Sequence, residues 1–333
     1  MLSLQCSMAQ AGETFVKVMR GVATILFLQL FFLAPAISSA TELKGETLKA
    51  WDEYVHTANV RMERRLHGDS AFLWIDEAPG RAQRVREGQI VVAPADNGSP
   101  RVPHGLIHDW VGAVFIPEAT VDDVIAVVND YDRYHEIYKP AVVDSKLLDS
   151  FGSERKFSMV MMQRALSVTA AVDGEFQSRC FRLDHDRSYC VSYSTCLREI
   201  KNFNQANERE LPPDQGSGYV WRLYSITRFR QQDGGVYAEV EAIGLSRDIP
   251  VEIRWLVKPL VERLPRNAVS LTLEQTRNSV RTTIDASRES SRRPGTSGDG
   301  CNLTANCEQK GRMSSAPETL ARRSSYVGAP PTR

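Results

Sequence analysis

The order of elements over Tyr219–Arg281 constrains the fold more than any other part of the sequence. Two segments, Tyr219–Phe229 and Gly235–Leu245, alternate as β-strands do and are joined by a short turn that contains glycine. A long helical pattern begins near Pro250, with apolar residues three and four positions apart through Leu273. An antiparallel meander that ends in one long, one-sided helix predicts a curved sheet wrapped around that helix, with a hollow between them.

Two prolines divide the predicted C-terminal helix. Pro259 removes one helical hydrogen bond, to the carbonyl of Trp255, and Pro265 marks a break or a restart. The final element is therefore predicted to be a hinged pair of helices instead of one straight rod. Beyond about Asp285 the apolar period is lost, and the composition predicts a disordered tail.

The elements before this stretch fit the same architecture. Gly105–Ile116 alternates as a strand, and Thr120 begins a helix with a variant of the capping box. A second short helix, Tyr131–Tyr138, follows, and from Val142 the period changes to that of successive strands. Near the N-terminus, Lys44–Leu66 forms an amphipathic helix whose mixed charges favour packing on the domain over lying on a membrane.

The N-terminal residues have the three-part pattern of a secretory signal peptide. Lys17 and Arg20 precede an uncharged run that ends in small residues at Ser38 and Ala40. Cleavage after Ala40 is predicted, which makes the protein exported, either periplasmic or extracellular. An uncleaved membrane anchor is the alternative, because the run approaches the ~20 residues that span a bilayer. Met19 would make a better signal start than Met1, an alternative in which residues 1–18 are a misassigned extension.

Composition excludes some classes of function. The 333 residues carry 41 basic and 41 acidic side chains, so the formal net charge is zero. A dominant basic surface for nucleic acid is therefore not expected. The sequence also lacks the glycine-rich phosphate-binding motifs, so it gives no local support for nucleotide binding.

The cysteine spacing is not that of a zinc site. Cys6 would leave with the signal peptide, and the five that remain include Cys180 and Cys190, which flank a turn centred on His185. In a hairpin these two residues face each other, so a disulfide is geometrically feasible in an oxidising compartment. A pair of free thiols is the alternative.

The order of a strand, two helices, a run of antiparallel strands and one long C-terminal helix resembles the START-like superfamily, also called SRPBCC. The residues that carry the resemblance are Val114–Pro117, Tyr131, Tyr134, Tyr138–Pro140, Gly218–Trp221, Arg228–Phe229, Leu245–Pro250 and Trp255. The resemblance implies an α+β helix-grip fold, a curved antiparallel sheet wrapped around the C-terminal helix. It also implies an apolar pocket between sheet and helix for a lipid, sterol, quinone or polyketide-like molecule, without implying one reaction.

These boundaries divide the chain into four parts. Residues 1–40 are the signal peptide, 41–101 an N-terminal helix and β extension, 102–284 the START-like domain, and 285–333 the disordered tail. The protein is expected to be a monomer that needs no cofactor, binds a hydrophobic small molecule and makes transient membrane contact.

Candidate ligand-binding residues are aromatic, thioether and cationic side chains from several elements. They are Trp110, Tyr134, Tyr138, Met159, Met161, Trp221, Arg247 and Trp255. Thioethers adapt to irregular apolar ligands, and a large ring with one donor suits a pocket wall. Each of these residues also has a plain packing interpretation, and Arg247 is interpreted first as part of the corner that leads into the helix.

Two alternative functions use other residues. A cyclase or aromatase would need an acid or base in the cavity, for which Tyr134 with His135, or Arg164, are the candidates. An envelope interaction protein would dock partners through the N-terminal helix and the tail.

Two sets of residues with metal-binding or acid–base chemistry are interpreted as structural. His104 and His108 lie about 13 Å apart along a strand, too far for one metal ion. Glu239 and Glu241 alternate with a face of small residues that meets the C-terminal helix, so they are predicted to point outward into solvent.

Overall fold

The computed structural model describes residues 41–95, 100–165, 168–249 and 251–292, except for the side chains of 165, 168, 251–262 and 291–292. The predicted signal peptide and the tail beyond Arg292 lie outside the described residues. No helix in the described part of the chain is both long and apolar enough to cross a membrane.

Twelve strands and five α-helices make up the described chain. The strands are β1 (Thr41–Glu42), β2 (Val91–Pro94), β3 (Arg101–Val102), β4 (Gly105–Pro117), β5 (Val142–Phe151), β6 (Glu154–Ala165), β7 (Val168–Arg182), β8 (Arg187–Lys201), β9 (Arg209–Glu210), β10 (Gln215–Gly216), β11 (Arg222–Gln232) and β12 (Gly235–Arg247). The helices are α1 (Gly45–His67), α2 (Arg81–Arg86), α3 (Val121–Val128), α4 (Tyr134–Ile137) and α5 (Val251–Arg292). Single 3-10 turns lie at Trp74–Glu77 and Tyr131–Arg133.

One large antiparallel sheet organises the molecule. Its strand order is β2-β4-β12-β11-β8-β7-β6-β5, with β3 paired to β4 and β9 paired to β8. Every strand of the main path pairs antiparallel with its neighbours, and β4 closes onto β12 from the far end of the sequence. The predicted meander of β11 and β12 therefore lies at the centre of the sheet.

Helix α5 packs on the inner face of this sheet. Its residues Val269, Leu273 and Val280 are buried in one cluster with apolar residues of β4 and β12. Gly112 lies at the point of closest approach, because a Cβ there would sit 2.7 Å from Val269 Cγ1 and 2.9 Å from Leu273 Cδ1. The small-residue face of β12 meets the C-terminal helix as the sequence predicts.

Helix α3 closes one end of the same face. The Asp123 amide donates to Thr120 Oγ1 at 3.2 Å, and the Thr120 amide donates back to Asp123 Oδ2 at 2.8 Å. This reciprocal capping box is the one that the sequence predicts, and it satisfies two donors at the helix start. Val121 and Val124 then bury against the inner cluster.

Helix α1 covers the outer face of the sheet. Trp51, Val55 and Met62 are buried with Ile226 and Tyr237, among others, in a second cluster. The sheet is therefore covered on both sides, by α1 outside and α5 inside. The 3-10 turn at Trp74–Glu77 extends this outer cover, since Ile75 is buried in the same cluster.

Helix α5 is one element of 42 residues, so the predicted break at Pro265 is absent. A proline removes one bond of the helical ladder, and neighbouring residues that keep theirs can carry the helix through it. The helix also continues to Arg292, past the point at which its apolar period is lost, although the compact unit that holds the sheet ends at Ile284.

Candidate functional site

The inner face of the two central strands is more exposed than the outer face. The half-exposed inner residues are Leu223, Ser225, Thr227, Val240, Ala242, Gly244 and Ser246. The buried outer residues are Tyr224, Ile226, Arg228, Glu239, Glu241, Ile243 and Leu245. Central strands of a sheet covered on both sides normally bury both faces. The inner face therefore borders space that the described side chains do not fill, and we call this space the hollow.

Two glycines on the inner face show where the hollow lies. At Gly112 an added Cβ would collide with α5, so helix and sheet are in direct contact there. At Gly244, among the residues that the structure describes, an added Cβ would meet only Leu223 Cδ2, at an ordinary contact distance of 3.5 Å. Gly244 is paired with His108 in the register of β12 and β4, and Ala242 with Trp110. The open part of the inner face is thus next to His108 and Trp110.

His108 presents an unpartnered nitrogen in this region. Its Nε2 lies 2.9 Å from Ser246 Oγ, and its Nδ1 is buried with no hydrogen-bond partner. Burial lowers the pKa of His108 to about 4, so the imidazole is neutral at physiological pH. A buried polar atom left unpaired costs about 1–3 kcal/mol.

Trp110 presents a second unpartnered nitrogen. The residue is 8% exposed, and its Nε1 is buried without an acceptor. Buried indole nitrogens usually find a partner, so this orphan needs an explanation such as a water or a ligand. His108 and Trp110 are two positions apart on one strand face, about 7 Å between Cα atoms.

The far side of the inner face is lined by aromatic and thioether side chains. Met159 and Met161 are half-buried against a cluster that includes Phe157. The ring of Tyr131 stacks on Phe157 at a centroid distance of 4.3 Å, and Tyr134 contacts the edge of the same ring. This cluster gives an apolar, adaptable wall.

Tyr134 and Tyr138 direct their hydroxyls at protein groups. The Tyr134 hydroxyl donates to the Val128 carbonyl at 2.5 Å, and the Tyr138 hydroxyl lies 3.1 Å from Thr276 Oγ1 of α5. Burial raises the pKa of both tyrosines, so both are neutral. Their rings line the inner face, whereas their hydroxyls hold α4 and α5 in place.

Trp221 is not part of this site. It is buried in the outer cluster beneath α1, whereas Trp110 belongs to the inner cluster. The prediction that the two rings surround one cavity is therefore wrong, because Trp221 packs with α1 and with the outer residues of β11 and β12. The side chain of Trp255, the third predicted tryptophan, lies outside the described residues.

Arg247 lies at the corner that joins β12 to α5. Its amide donates to the Gly218 carbonyl at 2.9 Å, and the Asp248 amide donates to the His104 carbonyl at 3.2 Å. These bonds tie the corner to two loops, which agrees with the structural interpretation of the sequence.

The prediction that Glu239 and Glu241 face solvent is wrong. They are 0% and 5% exposed, and both bind the guanidinium of Arg228, which is 1% exposed. Arg228 Nε donates to Glu239 Oε1 at 2.8 Å, and its Nη2 donates to Glu241 Oε2 at 3.1 Å. The carboxylates do point away from the small-residue face, but α1 and the 3-10 turn cover them.

The covering elements supply the remaining partners of this network. Arg61 of α1 donates to Glu241 Oε1 at 2.8 Å and to Asp109 Oδ2 at 3.2 Å. The amides of Trp74 and Ile75 donate to the two oxygens of Glu239. Although burial raises the pKa of Glu241, the Arg228 and Arg61 guanidiniums outweigh it and hold that pKa below its usual value. Nothing in the sequence periodicity signals this network, because its partners come from distant segments.

Cys180 and Cys190 form a disulfide between directly paired positions of β7 and β8. Cys196 is a free thiol. The two histidines considered for a metal have separate partners, since His104 Nε2 lies 2.8 Å from Glu46 Oε1 at the surface. In the part of the chain that the structure describes, no group of His, Cys, Asp or Glu could hold a metal ion.

A polar cleft of about 400 Å³ opens elsewhere on the surface, between the start of α3 and the β7–β8 turn. Its lining residues are Thr120, Asp122, Arg182, Asp184, His185 and Gln231. Arg182 and Asp122 form an ion pair there. None of the half-exposed inner residues of β11 and β12 named above lines this cleft, so it is separate from the hollow.

The strand order, with the long helix against the inner face, is the arrangement of a helix-grip fold. No family model matches the chain, and no curated protein matches its sequence significantly. Among solved structures, the STAR-related lipid transfer protein of Xanthomonas axonopodis is 16% identical, with a TM-score of 0.38 over 58% of this chain and 98% of that one.

Two other solved structures have the same kind of likeness. The Zhui aromatase/cyclase of Streptomyces sp. R1128 is 11% identical, with a TM-score of 0.37 over 54% of this chain and 98% of that one. Human STARD10 is 8% identical, with a TM-score of 0.38 over 63% of this chain and 81% of that one.

Proposed function

We propose that this protein is an exported binding or carrier protein for a hydrophobic small molecule held between the sheet and α5. The observation that carries the proposal is the inverted burial in one part of β11 and β12. There the inner residues of Leu223–Thr227 and Val240–Ser246 are half-exposed, while the outer residues between them are buried. A cover on both faces with space left on one of them is the arrangement of a binding cavity.

The lining of that space supports an apolar ligand. Leu223, Val240, Met159 and Met161 supply apolar area, and a few polar groups such as Ser225 stand among them. Small-molecule sites are typically apolar with a small number of placed polar groups that orient the ligand.

Two features support export. The N-terminal residues have the signal-peptide pattern, and the Cys180–Cys190 disulfide is of the kind that persists in oxidising compartments. We propose that the mature chain begins after Ala40 and works in the periplasm or outside the cell.

The cyclase alternative has little support from the geometry. The hydroxyls of Tyr134 and Tyr138 are engaged by protein groups, and His135 Nδ1 lies 3.1 Å from Ser145 Oγ. Arg164 is exposed. An interaction protein that docks through α1 is equally unsupported, because the apolar face of α1 is already buried against the sheet.

The test is to fill the hollow and measure the retained ligand. The full chain is purified after export, and the molecules that co-purify are extracted and identified by mass spectrometry. Gly244→Leu would project a side chain into the space beside His108, and we expect it to reduce the retained ligand at least about tenfold, or ~1.4 kcal/mol.

Gly45→Leu is the matched control, because a Cβ at that exposed position meets nothing within 4 Å. We expect it to leave the retained ligand unchanged. Thermal unfolding of both variants checks that each is folded. An absence of any bound apolar molecule in the wild type, together with no uptake of added lipid, would refute the proposal.

A further inference from the structure

The two orphaned nitrogens beside Gly244 carry information about the ligand. Trp110 Nε1 and His108 Nδ1 are buried and unpartnered, and they lie on the same face of β4. The indole nitrogen can only donate a hydrogen bond. The role of the imidazole nitrogen depends on its tautomer, which its neighbours determine.

Ser246 determines the tautomer of His108. Ser246 Oγ lies 3.2 Å from the Arg247 carbonyl oxygen and 2.9 Å from His108 Nε2. We assign its single proton to the carbonyl, so that its oxygen accepts from the imidazole. His108 Nε2 therefore carries the ring proton, and Nδ1 carries a lone pair. The inner face thus presents one donor, Trp110 Nε1, and one acceptor, His108 Nδ1.

We propose that the ligand is an apolar molecule that ends in a hydroxyl group, which accepts a hydrogen bond from Trp110 Nε1 and donates one to His108 Nδ1. This inference rests on the proposed function. A hydroxyl is the smallest uncharged group that can do both. An ester or ketone only accepts, so it would leave His108 Nδ1 unpaired, and a carboxylate would set its own lone pairs against that nitrogen.

The neutral state of His108 agrees with a ligand whose end group is uncharged. His108 stays neutral above about pH 4, because burial lowers its pKa. Both atoms are buried without a hydrogen-bond partner, and the ligand hydroxyl would supply one to each. These two hydrogen bonds form only when the ligand is bound, which favours the bound state.

Three probes with the same alkyl chain separate the alternatives. Oleyl alcohol can donate and accept, methyl oleate can only accept, and oleate is an anion. Each is titrated into the full chain, and its affinity is measured by displacement of 1-anilinonaphthalene-8-sulfonate. We expect oleyl alcohol to bind at least about tenfold more tightly than either of the other two.

Variants assign the preference to the two side chains. His108→Leu removes the acceptor, so the affinity for oleyl alcohol should fall to that for methyl oleate. His108→Gln restores an acceptor and should recover part of the difference. Trp110→Phe removes the donor that both probes use, so it should weaken the alcohol and the ester to a similar extent.

The outcomes distinguish a failure of the hydroxyl inference from a failure of the proposed function. If all three probes bind equally and the variants change nothing, the hydroxyl inference is overturned while the proposed function stands. Tighter binding of oleate would also overturn it, in favour of an anionic ligand. If none of the probes binds the folded chain, the proposed function fails and the inference fails with it.

Discussion

Arg228 is the residue on which the outer half of the fold depends most. Its guanidinium is buried and bound by Glu239 and Glu241, so its removal leaves two carboxylates buried with fewer partners. Breaking a buried pair by deleting one member costs about 3–5 kcal/mol. Charged residues are buried here because the guanidinium of Arg228 pairs with both carboxylates.

The first prediction compares Arg228→Met with Arg230→Met, two positions along the same strand face. Arg228→Met should lower the free energy of unfolding by about 3–5 kcal/mol. Arg230 makes a more exposed pair with Asp76, with its side chain 20% exposed, so Arg230→Met should cost only about 1 kcal/mol. Urea unfolding measures both, and equal losses would contradict the importance given to burial.

The second prediction concerns the pH dependence that His108 adds. Its pKa is about 4 in the folded protein and 6.5 when unperturbed, so between these values the unfolded state binds more protons. The contribution of His108 to stability is therefore fully present above pH 6.5 and is lost as the pH falls toward 4. The total is on the order of 3 kcal/mol.

His108→Gln isolates this contribution, because glutamine does not titrate. Between pH 7 and pH 4 the wild type should lose about 2–3 kcal/mol more unfolding free energy than the variant. Carboxylates such as Glu241 titrate in both proteins and cancel in the comparison. Equal losses of unfolding free energy in the wild type and the variant would show that His108 is solvated in the folded state.

At the scale of elements, β4 and β12 each bring a glycine to the inner face, and the two have opposite roles. Gly112 lets α5 lie directly on the sheet, whereas at Gly244 an added Cβ would meet Leu223 Cδ2 at an ordinary contact distance of 3.5 Å. Both have the same sequence signature, a glycine within an alternating strand. Only the position of the helix distinguishes them.

The third prediction is the response of these two glycines to a methyl group. Gly112→Ala forces a Cβ to within 3 Å of Val269 and Leu273, so it should destabilise the protein by about 1–3 kcal/mol. The new Cβ of Gly244→Ala makes only an ordinary contact, so the free energy of unfolding of this variant should stay within about 0.5 kcal/mol of the wild type. Thermal unfolding of the pair checks this, and a large loss for Gly244→Ala would mean that the inner face is filled there.

At the scale of the whole molecule, the sheet separates two tasks. The outer face, under α1, is fully packed and carries the buried charge network, whereas the inner face keeps unfilled space and unpartnered polar atoms. Trp221 belongs to the outer face and Trp110 to the inner face. The two tryptophans should therefore respond differently to the same substitution.

The fourth prediction follows from that separation. Trp221→Phe should lower the free energy of unfolding by about 1–3 kcal/mol and leave the affinity for oleyl alcohol unchanged. Trp110→Phe should lower that affinity. Both are measured by urea unfolding and by probe displacement, and a loss of affinity in Trp221→Phe would restore that ring to the binding site.

The local and periodic features of this protein follow from short stretches of its sequence. The capping box at Thr120, the strands from Gly105 onward, the helix over Gly45–His67 and the small-residue face of β12 depend on neighbours a few positions away, and each was predictable. The order of these elements also indicated the helix-grip fold.

Only the tertiary structure decided which faces are covered and which atoms meet. Alternation along β12 placed Glu239 and Glu241 opposite the small-residue face, but it could not show that α1, some 180 residues earlier in the chain, covers that side. The sequence pattern also could not show that Trp221 lies on the outer face of the sheet, or that the hollow lies beside Gly244. Burial is a property of the packed layers, and the sequence pattern of one strand gives only which side chains share a face.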